Sequence, residues 1–337
     1  MAFRVKVRSP VRVLDAGGWT DTWFAGRGAV CNLAVCEGVE VSAELCPLGR
    51  GGEALVDLWV RSFGDRYSFP LHSPPGRHRL LETTLSRRCP PGVSVKVEVG
   101  SSVPPGSGLG TSGSVVVALV VALAASAGTT VDASGAATEA HRIETEDLGL
   151  QSGVQDQIAA AYGGANLVVV DAYPAAEVRP LRVSSETWEA LSHRLVTVYL
   201  GAPHRSSFIH EAVIARLANS DRDVLLQPLR SAAHRAARAL AAGDIDAYGE
   251  AMSDNTEAQA SLHPGLVGDR ARAVIERVSS VGAAGWKVNG AGGDGGSVTI
   301  VCPEDGARLL AELDSMSEVT RLRLEPTCEG ARVVDRD

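Results

Sequence analysis

The chain has 337 residues, a length that fits about two domains of ordinary size. Hydrophobic residues make up 45% and charged residues 21%, enough to bury a sizeable core, and the net charge of −8 excludes the basic surplus that nucleic acids and anionic membranes select. Thirty-six glycines without collagen periodicity, against five each of Trp, Tyr and Phe, point to backbone that must approach something closely.

Residues 3–14 and 28–46 read as Val-rich strands, with G-G-W-T-D-T between them. Val93–Val99 alternates V-S-V-K-V-E-V and predicts a strand with one buried face. Ser114–Ala127 reads as a buried helix stopped by Gly128. Asp132 is a candidate cap for a helix reaching about Leu148. Ser152 and Gln155 have capping-box spacing for a further helix ending at Gly163-Gly164. Asn166–Asp171 is a short strand, and the texture changes after Pro174–Pro180. Beyond it come a strand at Arg194–Leu200 and helices at Ser207–Asn219, Leu229–Ala242, Ile245–Ser261 and Arg270–Val281. Strands at Ser297–Val301 and Thr320–Leu324 flank a helix at Glu304–Leu313.

Cys31, Cys36, Cys46, Cys89, Cys302 and Cys328 form no C-x-x-C pair and no Cys/His zinc spacing, so they read as reduced and mostly buried. The N-terminus alternates apolar and basic residues without the apolar core of a signal peptide. The longest apolar run, Val115–Ala127, falls short of the roughly 18 residues of a membrane span. The expectation is a cytoplasmic protein with no nucleic-acid or membrane partner, monomeric or homodimeric.

Val103-Pro-Pro-Gly-Ser-Gly-Leu-Gly-Thr-Ser-Gly113 lies between a strand and a helix, where backbone N–H groups and the helix N-terminus together suit a phosphate. A Walker loop is excluded, because the chain's three lysines, Lys6, Lys96 and Lys287, all lie elsewhere. Gly108, Gly110 and Gly113 spell the dinucleotide fingerprint, with Asp132 about twenty residues on. That turn, however, should follow its strand directly, and Gly100-Ser-Ser-Val-Pro-Pro intervenes. A tight turn opening a buried helix is the remaining reading from local residues alone.

The segment P-P-G-S-G-L-G-T-S resembles the nucleotide-binding motif of the GHMP kinases, and three further segments match that superfamily in order. Arg12-Val-Leu-Asp-Ala-Gly-Gly-Trp-Thr-Asp-Thr22 resembles its first motif, in the form found in fucokinases and bacterial heptose 7-phosphate 1-kinases. Gly153-Val-Gln-Asp-Gln157 with Tyr-Gly-Gly164 resembles the Q-D-Q…G-G block of those sugar kinases, and Lys287–Ser297 the third motif. The resemblance implies an α+β, two-domain GHMP kinase fold. An N-terminal βαβ-type nucleotide-binding domain (1–185) would precede a C-terminal ferredoxin-like α/β sandwich (186–337).

It also implies ATP and Mg²⁺ as cofactors and phosphorylation of a hydroxyl, the anomeric one, of a hexose or a heptose 7-phosphate. A cyclitol acceptor and a non-catalytic sugar sensor are the alternatives. Pro105, Gly106, Ser107, Gly108, Leu109, Gly110, Thr111 and Ser112 would cradle the nucleotide, with Ser112 and Glu144 on the metal. Asp156 would be the base, its charge favoured by the first turn of its helix; an acid that merely stabilises its own helix is the alternative. Arg12 would stabilise the phosphoryl group or Asp156. Gly18, Trp19, Thr20, Asp21, Arg205, Gly292 and Gly293 would face the small-molecule sugar or sugar phosphate. Asp294 departs from the family's all-glycine run, and its carboxylate would repel phosphates unless it faces the metal or solvent.

Overall fold

The computed structural model describes residues 4–49, 52–202 and 207–336. Its first half runs β1 (Arg4–Ala16), β2 (Gly28–Pro47), β3 (Leu55–Val60), β4 (Asp65–Pro70), α1 (Arg79–Arg88), β5 (Val93–Ser101), α2 (Thr111–Ser126), α3 (Ala133–Arg142), α4 (Gln155–Tyr162), β6 (Ala165–Ala172) and β7 (Ala175–Pro180). The second half continues with α5 (Ser185–Arg194), β8 (Leu195–Tyr199), α6 (Ser207–Ala218), α7 (Arg222–Ala242), α8 (Ile245–Leu262), α9 (Asp269–Ser280), β9 (Gly285–Val288), β10 (Ser297–Val301), α10 (Ala307–Asp314), β11 (Thr320–Leu322) and β12 (Arg332–Arg336).

An eight-stranded mixed sheet has the order β12-β1-β2-β5-β3-β4, with β6 joined to β2 and β7 to β6. The 20 residues of β2 serve two partners on one edge: Gly28–Leu33 pairs with β6 and Val39–Pro47 with β5. The alternation of β5 buries Val95, Val97 and Val99 against Val115, Leu119 and Ala122 of α2. The opposite side of α2, Val116, Val117 and Val120, packs on α3 and α4. A helix enclosed between a sheet and two helices is apolar all round, which accounts for the long apolar run.

A second, antiparallel sheet has the order β11-β8-β10-β9 and is covered by α9 and α10. The two halves share a core, in which Leu14, Ala16 and Cys31 meet Ala233, Leu240, Tyr248 and Met252 of α7 and α8. The last strand, β12, returns to pair with β1, so residues 332–336 rejoin the first sheet. Among the described residues, no helix is long and apolar enough to cross a membrane.

Several elements are absent from the sequence reading. In β3 the outward positions carry Leu55 and Trp59, which blur the alternation. Helix α1 lacks a side-chain N-cap; instead Glu82 reaches back to accept from the backbone of Gly76, Arg77 and His78 at 2.6–3.0 Å. Helix α5 is capped by Ser184, which accepts from Thr187 N. The helix expected to reach Leu148 ends at Arg142 and widens into one π turn, Ile143–Asp147, where Leu148 N reaches Ile143 O.

Candidate active site

The first motif leaves β1 through a sharp turn, and the glycine loop Gly106–Gly110 enters α2. Gly106, Gly108 and Gly110 all have φ near +70°. At Gly110 the requirement is double, since a Cβ there would also sit 3.1 Å from Asp156 Cγ and 3.2 Å from Arg12 Cγ. Among the described residues no side chain caps α2, so the amides of its first turn are left for an anion.

One cavity opens on this loop, and a second lies beside the first motif and Asp156. One, of about 340 Å³, is lined by Phe63, His78, Pro105, Gly106, Thr111 and Ser112 among others. The other, of about 140 Å³, is lined by Arg12, Gly18, Trp19, Asp21, Asp156 and Gly290 among others.

Asp156 stands in the first turn of α4, and its Oδ1 accepts from Arg12 Nε at 2.9 Å. A second Arg12 nitrogen donates to Gly108 O of the glycine loop. Arg12 is 4% exposed; burial works against its charge, but Asp156 and Asp15 outweigh that and raise its pKa. Asp21 is buried too, and its Oδ2 accepts from Gln155 N at 3.1 Å, so the first motif caps α4. This corrects the capping box expected at Ser152, whose Oγ instead accepts from Gln157 Nε2 at 3.1 Å. The fit is close: a Cβ on Gly153 would lie 2.1 Å from Asp21 Oδ2. Burial pushes the Asp21 carboxyl up to about 6.

Glu144 lies on the π turn, a local widening frequent at functional sites. Its Oε2 accepts from Gln157 Nε2 at 2.9 Å, while Oε1 is buried with no hydrogen-bond partner among the described residues. Burial pushes this carboxyl up to about 7. A buried carboxylate oxygen with no hydrogen-bond partner among the described residues, and the Ser112 hydroxyl at the start of α2, are each of the oxygen type that Mg²⁺ takes. Thr111 Oγ1 is also buried without a partner among the described residues.

Other residues fall differently. Trp19 lines the smaller cavity at φ +80°, with His210 edge-on to it at 4.6 Å. Thr20 is fully buried and braces the turn, its hydroxyl 2.7 Å from Gly17 O and 3.0 Å from Ala29 O. Gly292 and Gly293 pack on Leu266, with Gly293 N donating to Leu266 O at 3.1 Å, and the third motif lines the cavity with Gly290 and Ala291 instead. The Leu109 side chain belongs to the core, and its carbonyl accepts from Arg12 N. Arg205 lies outside the described residues. Asp294 is exposed, and its carboxylate sits beside the N-cap of α9, where a negative charge is favoured.

The sequence reading assigned no role to Asp15, Lys287 or Asn289. Asn289 Oδ1 accepts from Leu14 N, and Ser297 Oγ donates to Ser107 O at 2.7 Å, so the third motif clamps the other two. Lys287 is buried on β9 and pairs with Asp15 at 3.3 Å. An acid or a lysine inside an otherwise apolar strand was the available signal in V-L-D-A and G-W-K-V.

A family model described as the GHMP kinases N-terminal domain matches residues 78–164. A D-glycero-alpha-D-manno-heptose 7-phosphate kinase from Campylobacter jejuni is 26% identical over 221 residues, covering 66% of this chain and 65% of that protein. A bifunctional fucokinase/GDP-fucose pyrophosphorylase from Arabidopsis thaliana is 26% identical over 337 residues, 92% of this chain but 31% of that protein. The chain thus spans under two thirds of both curated relatives. The crystal structure of a D-glycero-D-manno-heptose 1-phosphate kinase from Bacteroides thetaiotaomicron superposes with a TM-score of 0.76 at 20% identity, covering 98% of this chain and 99% of that one. Residues 78–164 thus match the N-terminal domain of the GHMP kinases, and the chain shares the two-domain α+β fold of a solved sugar kinase along nearly its whole length.

Proposed function

We propose that the protein is an ATP-dependent sugar kinase that phosphorylates the anomeric hydroxyl of a hexose-like acceptor. The observation that carries this is Asp156, ion-paired to Arg12 at 2.9 Å, lining the smaller cavity and packed against the first turn of α2, which no side chain of the described residues caps. When bound, ATP supplies the phosphoryl group and Mg²⁺ neutralises charge on its oxygens. The loop amides from Gly106 to Ser112 bind anionic oxygens, and Ser112 and Glu144 hold the cation. Arg12 fixes Asp156 through Oδ1, leaving Oδ2 to take the proton of the acceptor hydroxyl as its oxygen attacks. Asp21 keeps one oxygen for the helix amide and offers the other to sugar hydroxyls.

Among the described residues, the acceptor cavity holds Asp21 and Asp156, with Asp15 behind them, against one guanidinium already committed to Asp156. Such a wall favours a hydroxyl-rich acceptor over one bearing a second phosphate on this side. The test measures ATP consumption over a panel of free hexoses, cyclitols and heptose 7-phosphate, with the product analysed for a 1-phosphate. Free hexose turnover is expected, with Asp156→Asn lowering kcat about 10²–10⁴-fold while ATP binding persists. Full activity in Asp156→Asn, or tight sugar binding with no turnover by the native protein, overturns the reading.

A further inference from the structure

Behind Arg12 runs a buried row of alternating charge that the transfer step does not use. Asp15 Oδ1 is 3.3 Å from Lys287 Nζ, 3.2 Å from Gly290 N and 4.0 Å from an Arg12 nitrogen. Lys287 also donates to Gln259 Oε1 at 2.9 Å and to Val288 O, and Gln259 Nε2 reaches Gly290 O at 3.2 Å. Lys287 is 1% exposed and Asp15 3%, so solvent cannot screen either charge. The row ties α8, β9 and the third motif to the first motif.

Arg12 therefore stands between two carboxylates. It bonds Asp156 directly, and the nitrogen nearest Asp15 is spent on the neutral carbonyl of Gly108. Charge-assisted hydrogen bonds are about twice as strong as neutral ones, so an Asp15 without its ammonium would draw that nitrogen off Gly108. The guanidinium is rigid and planar, and turning it toward Asp15 pulls Nε away from Asp156.

We propose that Lys287 is a positioning residue: by holding Asp15, it keeps that carboxylate from competing for Arg12, and so keeps Arg12 aimed at Asp156 and the glycine loop. This rests on the reading of Asp156 as the catalytic carboxylate. It also assigns the lysine of the third motif a task in aligning the base, separate from any contact with phosphate. Because Gly290 N shares Asp15 Oδ1, the third glycine loop and the aim of Arg12 are held by one atom.

The test compares Lys287→Met with Asp15→Asn/Lys287→Met, using the sugar on which the native enzyme is most active. Lys287→Met should lower kcat by about 10–100-fold with KM for ATP and sugar within about threefold, since a misplacement of about 1 Å can cost two decades. The double variant, with no carboxylate left to compete, should recover most of that loss. A second readout needs no turnover: the ¹⁵Nε–H resonance of Arg12, assigned by its absence in Arg12→Lys, should move in Lys287→Met and return in the double variant. A lysine that only supported the fold would lower Tm but leave kcat per folded molecule and the Arg12 resonance unchanged, and that result overturns the proposal. So does a double variant as slow as Lys287→Met. If the native protein phosphorylates no sugar, the sugar-kinase reading fails by itself, and the resonance still decides whether Lys287 sets the aim of Arg12.

Discussion

Asp21→Asn separates a carboxylate kept for the acceptor from one kept for the fold. The native carboxyl caps α4 through Oδ2, and asparagine places an acceptor oxygen at the same point, so the bond to Gln155 N survives the exchange. What disappears is a buried charge, whose burial raises the carboxyl from 3.8 to about 6. A folded-state pKa above the unfolded one means that this group's contribution to stability is full below pH 3.8 and lost as pH climbs through about 6. At about 1.4 kcal/mol per pH unit, the gap amounts to about 3 kcal/mol against the native protein at pH 8. Asp21→Asn should therefore be more stable than the native protein at pH 8, by up to that amount, with the advantage fading toward pH 4. Urea denaturation at the two pH values measures it. The same variant should raise the acceptor KM, because asparagine lacks the charge that strengthens bonds from sugar hydroxyls. A variant less stable at pH 8, or one with unchanged acceptor KM, refutes the assignment.

Gly110→Ala and Gly128→Ala share a left-handed backbone, φ +71° and +74°, but only at Gly110 would a Cβ meet anything, namely Asp156 and Arg12. Both should lose about 1–3 kcal/mol in urea denaturation, and only Gly110→Ala should also lose kcat; equal rates would detach Gly110 from the catalytic pair. Glu144→Gln removes a carboxyl that burial lifts from 4.5 to about 7, so the ligand-free variant should gain stability over the native protein as pH rises from 4.5 to 8. It should also need at least about tenfold more Mg²⁺ for half of the Tm rise that ATP gives, and an unchanged Mg²⁺ requirement removes Glu144 from the cation site.

The sequence disclosed those parts of the site that are local in the chain. Glycines at short spacing before an apolar helix mark the loop from Gly106 to Ser112 whatever surrounds it, and the alternation of Val93–Val99 marks its strand. Contacts between distant segments leave no such trace. The cap of α4 comes from Asp21, 134 positions away from Gln155, and displaces the local candidate, Ser152, which turns to Gln157. Helix α1 begins without a capping residue because Glu82 reaches back over its own first turn, a pattern that start signals do not include. Thr20 illustrates the opposite error, since a hydroxyl inside a recognised motif looks like a sugar contact until its bonds to Gly17 and Ala29 are seen.

The placing of strain bears on where ligand energy must go. Among the described residues, the two non-glycine positions with positive φ are Leu14 (+60°) and Trp19 (+80°), and both lie in the first motif on either side of Asp15. Such conformations cost about 1–3 kcal/mol each and persist only where their surroundings enforce them. The same motif holds Asp21, whose buried carboxyl is lifted to about 6, and Asp156 beside it is felt electrostatically by Glu144, lifted to about 7 and with one oxygen lacking a partner among the described residues. The surroundings that enforce the two strained positions are apolar, since Leu14 and Ala16 pack on α7 and α8 and Trp19 packs with Phe24. A motif folded only for stability would not concentrate its unfavourable terms around one cavity. A motif preorganised for hydroxyls, a cation and a transferring phosphoryl group would, because those partners relieve the same groups on binding.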